Sequence, residues 1–304
     1  LISEPKPSDI YKVIEWNFGA RYFLVKRVSE GKSSWLRLDR SDEDNAKNIT
    51  DLLGADITEL HFSGNSGNVF FGTLSDGTLR KLDIGAKNIS SPISDNVIEF
   101  QLYKENKLAF VSKSDTEQVA SIYTDGDKNP FTIKRVKDLS TTLHINRVEY
   151  FRDDIVAVSV GRNFELIRSP DKTSKKVYYK NVLKDVPQWI FFSNSGQFFA
   201  AQTGNQLGTY DLERKQAFEF TIPNSNSQYS RSDHLQWLND FSFWSDNGGR
   251  LFFFEFDGSN QQDIGTVTPG MDVKLSNNGK RLFSFGANSS TKQPVLQSSI
   301  MVIE

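Results

Sequence analysis

The feature that most constrains this chain is a repeat. A short apolar strand ending in an acidic residue recurs along it: SWLRLD ends at Asp39, LRKLD at Asp83, SIYTD at Asp125, LGTYD at Asp211, FFFEFD at Asp257 and MVIE at Glu304. A weaker copy, FELIRS, ends at Ser169, and consecutive copies lie 44, 42, 44, 42, 46 and 47 residues apart. A period of that length marks a repeat architecture, in which each unit buries its apolar surface against the next.

Upstream of each copy lies a second element, an apolar strand, a polar hinge and a strongly apolar strand. The copies read VIEWNFGARYFLV, LHFSGNSGNVFFG, FQLYKENKLAFVS, VEYFRDDIVAVSV, IFFSNSGQFFAAQ, LQWLNDFSFWS and VKLSNNGKRLFSF. Gly19, Gly67, Gly196 and Gly279 occupy the hinge, where a tight hairpin favours a residue tolerant of positive φ. Each unit thus supplies strands a, b and c, with a fourth, d, before the next begins. Four short strands per unit is the spacing of a β-propeller blade, and long segments of helical period are missing. The 24 Phe, 9 Tyr and 5 Trp against 2 Met agree with pleated, half-buried surfaces.

The expected fold is therefore all-β, a seven-bladed β-propeller of four-stranded blades forming one domain over residues 1–304. The blades span approximately 10–54, 55–95, 96–140, 141–185, 186–228, 229–270 and 271–304. Residues 1–5 are expected to add the missing outer strand of the last blade and so close the ring. The weak fourth copy leaves six or eight blades as alternatives. SDEDNAKNITDLLG, residues 41–54, reads as an acidic, solvated excursion between blades with at most one helical turn.

The hinges SGNSGNVFF (63–71), SNSGQFFA (193–200) and SNNGKRLF (276–283) resemble the Ser-x-x-Gly-Lys-x-apolar-apolar hairpin of TolB-like and related WD-like bacterial propellers. They lack that hairpin's Pro-Asp pair, and no copy carries the Gly-His and Trp-Asp dipeptides of true WD repeats. Blade 1 with its acidic tail, WLRLDRSDEDNAKNITDLLG, is similar to the C-terminal propeller of PEGA-domain proteins, which are membrane-anchored. The resemblance implies a binding domain on the extracytoplasmic or cell-surface side of a bacterial membrane, and the chain is expected to be monomeric. Its partner would be a protein or a cell-envelope component. Leu1 in place of Met suggests an anchor or export signal upstream.

Several chemistries are excluded. A net charge of -2 gives no global field to hold nucleic acid, and the absence of Cys removes disulfides, thiolate catalysis and Cys-based metal sites. No apolar run reaches the length of a membrane span. No sialidase box, Gly-x-Ser-x-Gly elbow, HExxH or phosphate-binding loop occurs. Propeller ligands usually bind where the inner strands begin, around the channel mouth. There stand Asp9, Asp56, Asp95, Asp185, Asp233 and Asp272, with His144 and Asn146 in blade 4 and His234 beside Asp233. Facing the channel, these carboxylates would favour a cation such as calcium or a basic peptide. Their simpler reading, weighted above it, is turn capping by Asx hydrogen bonds. No other cofactor is expected. The function expected is non-catalytic binding through loops, and the alternative is a metal-dependent carbohydrate-binding or carbohydrate-acting propeller.

Overall fold

The computed structural model describes residues 9–17, 19, 21–172, 176–179, 182–223, 235–245, 250–266, 273–275, 281–287 and 294–300. Its sheets follow chain order. Blade 1 holds β1 (Ile10–Trp16), β2 (Tyr22–Ser29), β3 (Lys32–Asp39) and β4 (Lys47–Asn48); blade 2 holds β5 (Ile57–Phe62), β6 (Val69–Leu74), β7 (Leu79–Asp83) and β8 (Asn88–Ile89). Blade 3 comprises β9 (Val97–Tyr103), β10 (Lys107–Lys113), β11 (Gln118–Thr124) and β12 (Phe131–Val136). Blade 4 comprises β13 (Leu143–Tyr150), β14 (Asp153–Val160), β15 (Asn163–Arg168) and β16 (Lys176–Tyr179). Blade 5 is built from β17 (Trp189–Phe192), β18 (Phe198–Thr203), β19 (Gln206–Asp211) and β20 (Gln216–Thr221). Blade 6 follows with β21 (Gln236–Trp237), β22 (Ser242–Ser245), β23 (Arg250–Glu255) and β24 (Gln262–Thr266). A last sheet has three strands, β25 (Val273–Leu275), β26 (Arg281–Ala287) and β27 (Pro294–Ile300).

The fold is thus an all-β propeller, but the expectation of seven four-stranded blades is corrected: among the described residues the four-stranded blades number six. Elsewhere a turn after the third strand returns the chain as an outer strand, whereas among the described residues none pairs with the outer edge of β27. The strand expected from residues 1–5 lies outside the described residues. Contact between the first and last sheets is visible in side chains instead. The Trp16 ring packs 4.8 Å from that of Phe283, and 4.9 Å from that of Phe23.

Strand alternation explains why these sheets stack. Along β14, Ile155 and Ala157 join the core shared with blade 5, while Val156 and Val158 join the core shared with blade 3. Along β6, Phe70 faces blade 1 and Phe71 faces blade 3, both fully buried. Both faces of a blade are apolar, so neither can be left to water. Side chains also tie blade to blade by bonding to the next backbone. Trp35 Nε1 donates to the Ile57 carbonyl at 2.8 Å, Ser63 Oγ to that of Glu105 at 2.6 Å and Thr209 Oγ1 to that of Phe256 at 2.6 Å.

The recurring acidic residue is a turn cap. Asp39, Asp83, Asp211 and Asp257 each accept a backbone N–H two residues on, at 3.0, 2.8, 2.8 and 2.9 Å, and so pin the turn after the third strand. Asp39 also receives Arg21 Nη2 at 2.9 Å. That guanidinium, against the opposing effect of burial, holds its carboxyl well below the usual carboxylate range. Residues 41–54 are more ordered than an acidic excursion. They form a 3-10 turn (Glu43–Asn45), β4 and a helix α1 (Ile49–Leu53), capped by the Asn48 side chain and by Gly54 at φ 60°. Ile49 is fully buried in the core between blades 1 and 2.

A close approach fixes one glycine. A Cβ on Gly208 in β19 would collide with the carbonyl of Val182, whose segment lies flat against this strand. Gly208→Ala should therefore cost about 1–3 kcal/mol or more, read as a lower urea midpoint at unchanged slope. An unshifted midpoint would contradict the packing described.

Candidate functional site

The inner strands β1, β5, β9, β13 and β17 converge on the axis of the ring. Gln101 Nε2 of β9 reaches the Ile190 carbonyl of β17 at 3.4 Å, past Asn146 of β13, which donates to Gln101 Oε1 and to the same carbonyl. Asn146 is thus buried in the wall. His144 lies beside it and is likewise consumed. Asp9 is shielded, its Oδ2 3.3 Å from the Tyr11 hydroxyl and 3.5 Å from Arg27 Nε. Burial, and next the Asp9 charge, push the Tyr11 pKa up.

Asp56, Asp95 and Asp185 precede their inner strands with exposed side chains. None of the three makes the Asx bond expected of it; aspartate caps stand instead after the third strands and, ahead of inner strand β13, at Asp138, which accepts the Ser140 N–H at 3.0 Å. Asp233, His234 and Asp272 fall outside the described residues. Among the described residues no three His, Asp or Glu side chains converge as a metal-holding group.

The polar feature of the inner wall is a pair of carboxylate–imidazole clasps. His61 Nδ1 lies 3.0 Å from Glu15 Oε2 of the preceding blade, whose Oε1 accepts the Phe62 N–H at 2.5 Å, and His61 Nε2 lies 3.2 Å from Glu59. His144 Nδ1 lies 2.5 Å from Glu99 Oε2 of blade 3, and its Nε2 lies 3.1 Å from the Pro187 carbonyl leading into blade 5. Glu99 Oε1 also accepts the Ile145 N–H at 3.4 Å. In both cases one carboxylate spans an imidazole and a backbone amide of the next inner strand. Burial opposes charge on the His61 ring, but Glu15 and then Glu59 outweigh it and push its pKa up to about 10. Burial likewise opposes charge on His144, and Glu99 with the Pro187 carbonyl raises its pKa above the ordinary value.

These glutamates escaped the sequence reading, though a signal existed. Val13-Ile14-Glu15-Trp16, Ile57-Thr58-Glu59-Leu60 and Val97-Ile98-Glu99-Phe100 share one pattern, and in each the ladder slips by one residue just before the Glu. A bulge re-aims the side chain that follows it, which places a carboxylate where simple alternation puts none.

The opposite face carries the a–b hairpins and the turns after the third strands, joined by backbone bonds such as Leu212 N–H to the Gln197 carbonyl at 2.9 Å. Two aromatic rings stand out from it, Phe151 at 77% and Phe241 at 52% exposure. The tips of blades 5 and 6 are tied by Ser195 N–H to Asp240 Oδ1 at 2.7 Å, and Tyr150 packs with Leu212 on the core between blades 4 and 5. Phe151 and Phe241 therefore belong to one continuous surface.

No family model matches the chain, and no curated protein matches it in sequence. Solved β-propellers match it in fold. An oligogalacturonate lyase in complex with manganese aligns at TM-score 0.65 and 12% identity, over 98% of this chain and 92% of that one. The β-propeller domain of Myceliophteria thermophila Cps50 (Swd1) aligns at TM-score 0.57 and 12% identity, over 98% and 100%. Kluyveromyces lactis Hsv2 aligns at TM-score 0.59 and 12% identity, over 95% and 98%. At such identity the likeness shows the fold class alone, a β-propeller, one that also occurs in a lyase.

The clasp makes stability depend on pH. A pKa raised on folding stabilises fully below the unfolded value of about 6.5, and that stabilisation is lost as pH rises through about 10. Wild type should thus lose unfolding free energy between pH 7 and 10 relative to His61→Gln, by less than the ~1.4 kcal/mol per pH unit of one fully coupled proton. Parallel denaturation curves for the two proteins over that range would contradict the clasp.

Proposed function

We propose that the chain is a non-catalytic interaction propeller that presents the hairpin face of blades 4 to 6 to a protein or cell-envelope partner. The observation that carries this reading is the pair of exposed rings, Phe151 and Phe241, held by a scaffold whose other large aromatics are mostly buried. Exposed aromatics on a rigid frame are typical anchors of an interface. Two further facts support it: WD40-type propellers of similar fold serve as protein-interaction domains, and one similar chain comes from a mitotic checkpoint complex. The TolB-like and PEGA-linked resemblance of the hairpins favours a partner on the extracytoplasmic side of a bacterial membrane.

A second reading rests on its own observation. The fold matches a lyase solved with manganese, and Asp56, Asp95 and Asp185 stand exposed at the starts of inner strands. A carbohydrate-acting, metal-dependent propeller would show a rise in melting temperature with Mn²⁺ or Ca²⁺, reversed by EDTA and lost in Asp56→Asn/Asp95→Asn. Turnover of oligogalacturonate would accompany it.

The interaction reading is tested by quantitative capture from the native envelope fraction with wild type and a Phe151→Ser/Phe241→Ser variant. The expected result is a stoichiometric partner retained by wild type and lost by the variant at unchanged melting temperature. Equal capture by both proteins would overturn the assignment of this face.

A further inference from the structure

Four described hairpins have two-residue loops, and three of them contain a glycine: Glu30–Gly31, Gly161–Arg162 and Gly204–Asn205. The fourth joins β13 to β14, where Tyr150 pairs with Asp153 across Phe151 and Arg152. Both of these residues have positive φ, 50° and 65°. That is the type I′ turn, whose central positions favour Asn-Gly because a Cβ there meets the backbone. A phenylalanine followed by an arginine is a poor choice for folding. Backbone strain of this kind persists where the surroundings hold it, and it clusters at functional sites.

The side chains on this strained tip are the ones a binding surface needs. Phe151 is 77% exposed and its ring meets Tyr150 edge-on at 4.4 Å, which limits its freedom. Arg152 is exposed and forms no ion pair among the described residues. Neighbouring turns on the same face add the exposed cations Lys172, Arg214 and Lys215, of which Lys172 lies 3.7 Å from Asp153 and Arg214 3.9 Å from Asp211, while Lys215 forms no ion pair among the described residues. The nearby carboxylates Asp153 and Asp211 are engaged, the first by Arg168 at 2.6 Å and the second by the Glu213 N–H at 2.8 Å.

We infer that the Phe151–Arg152 tip is the primary anchor of this face and that its occupant is an acidic protein segment with an apolar recess. Phe151 fills the recess, and Arg152, with Lys215 of a flanking turn, meets the carboxylates. This inference rests on the interaction reading above. An anionic membrane is the less favoured occupant, since Arg152 and Lys215 are the only cations of these turns without an ion pair among the described residues, short of the clustered basic residues that hold an anionic surface.

The test uses the full chain, labelled peptides in which Asp or Glu alternates with Leu, the same peptides with Lys in the charged positions, and vesicles of phosphatidylserine and phosphatidylcholine. The acidic peptides should bind, weaken with salt, and weaken by about tenfold or more in Phe151→Ala and in Arg152→Gln. A Phe151→Asn/Arg152→Gly variant supplies the residues the turn prefers. It should melt a few degrees higher while losing the peptides, a combination that a structural role for the tip does not produce. Peptide binding retained by this variant, or a melting point not raised, would overturn the inference. Preference for the Lys peptides, or vesicle binding lost in the same variants, would overturn it in favour of another occupant. Capture of a native partner that ignores these substitutions would remove the inference and leave the interaction reading standing; no capture by wild type would remove both.

Discussion

A sheet that is apolar on both faces has to be covered on both faces. Phe70 and Phe71, adjacent in β6, point into different cores, as do Val156 and Ala157 in β14. Each blade is therefore an incomplete hydrophobic unit, stable only between two others. Burying a phenylalanine of this size is worth about 1.5–3 kcal/mol, and every blade interface contains several large apolar side chains. Stacking of blades follows from that requirement, and so does the packing of Trp16 on Phe283, which brings the first sheet against the last.

Closing a ring crowds its inner strands, and crowding buries polar groups that then need partners. Blade 1 meets that need with Glu15 on His61 and the Phe62 amide, and blade 3 with Glu99 on His144 and the Ile145 amide. A carboxylate that accepts from both a ring and a backbone amide of the next strand fixes the offset between neighbouring blades. Apolar packing alone specifies that offset weakly. These inner-wall side chains hold the ring, whereas Phe151 and Phe241 project from the hairpin face beyond what the fold uses.

Much of this architecture was legible from the repeat, because turn chemistry and strand alternation are local. The hinge in FFSNSGQFFA is a hairpin turn, with Gly196 at φ 78° and its N–H on the Ser193 carbonyl at 2.9 Å. Of the recurring terminal aspartates, Asp39, Asp83, Asp211 and Asp257 cap turns, while Asp125 pairs with Lys81 of the preceding blade. The number of four-stranded blades was not legible, since strand pairing at the last sheet is a tertiary fact that periodicity does not encode. The glutamates of the inner wall were hidden by bulges, which break the alternation by which strands are read. The clasping of His61 and His144 was not legible because their partners lie 46 and 45 positions away in sequence. Asp56, Asp95 and Asp185 were expected to cap and do not. Phe151 and Arg152 were passed over because a hydrophobic residue in a hinge resembles the strands beside it.

The claim on which this account depends most is that the carboxylates of neighbouring strands clasp the inner-wall histidines and favour their charged form. Their ring ¹⁵N chemical shifts, assigned with His61→Gln and His144→Gln, measure it directly. The His61 ring should carry two protons at pH 7.5 and titrate near 10, and the His144 ring should titrate above the ordinary value of about 6.5. Neutral rings at that pH, titrating near the ordinary value of about 6.5, would contradict the clasps and return the inner wall to consideration as a binding site.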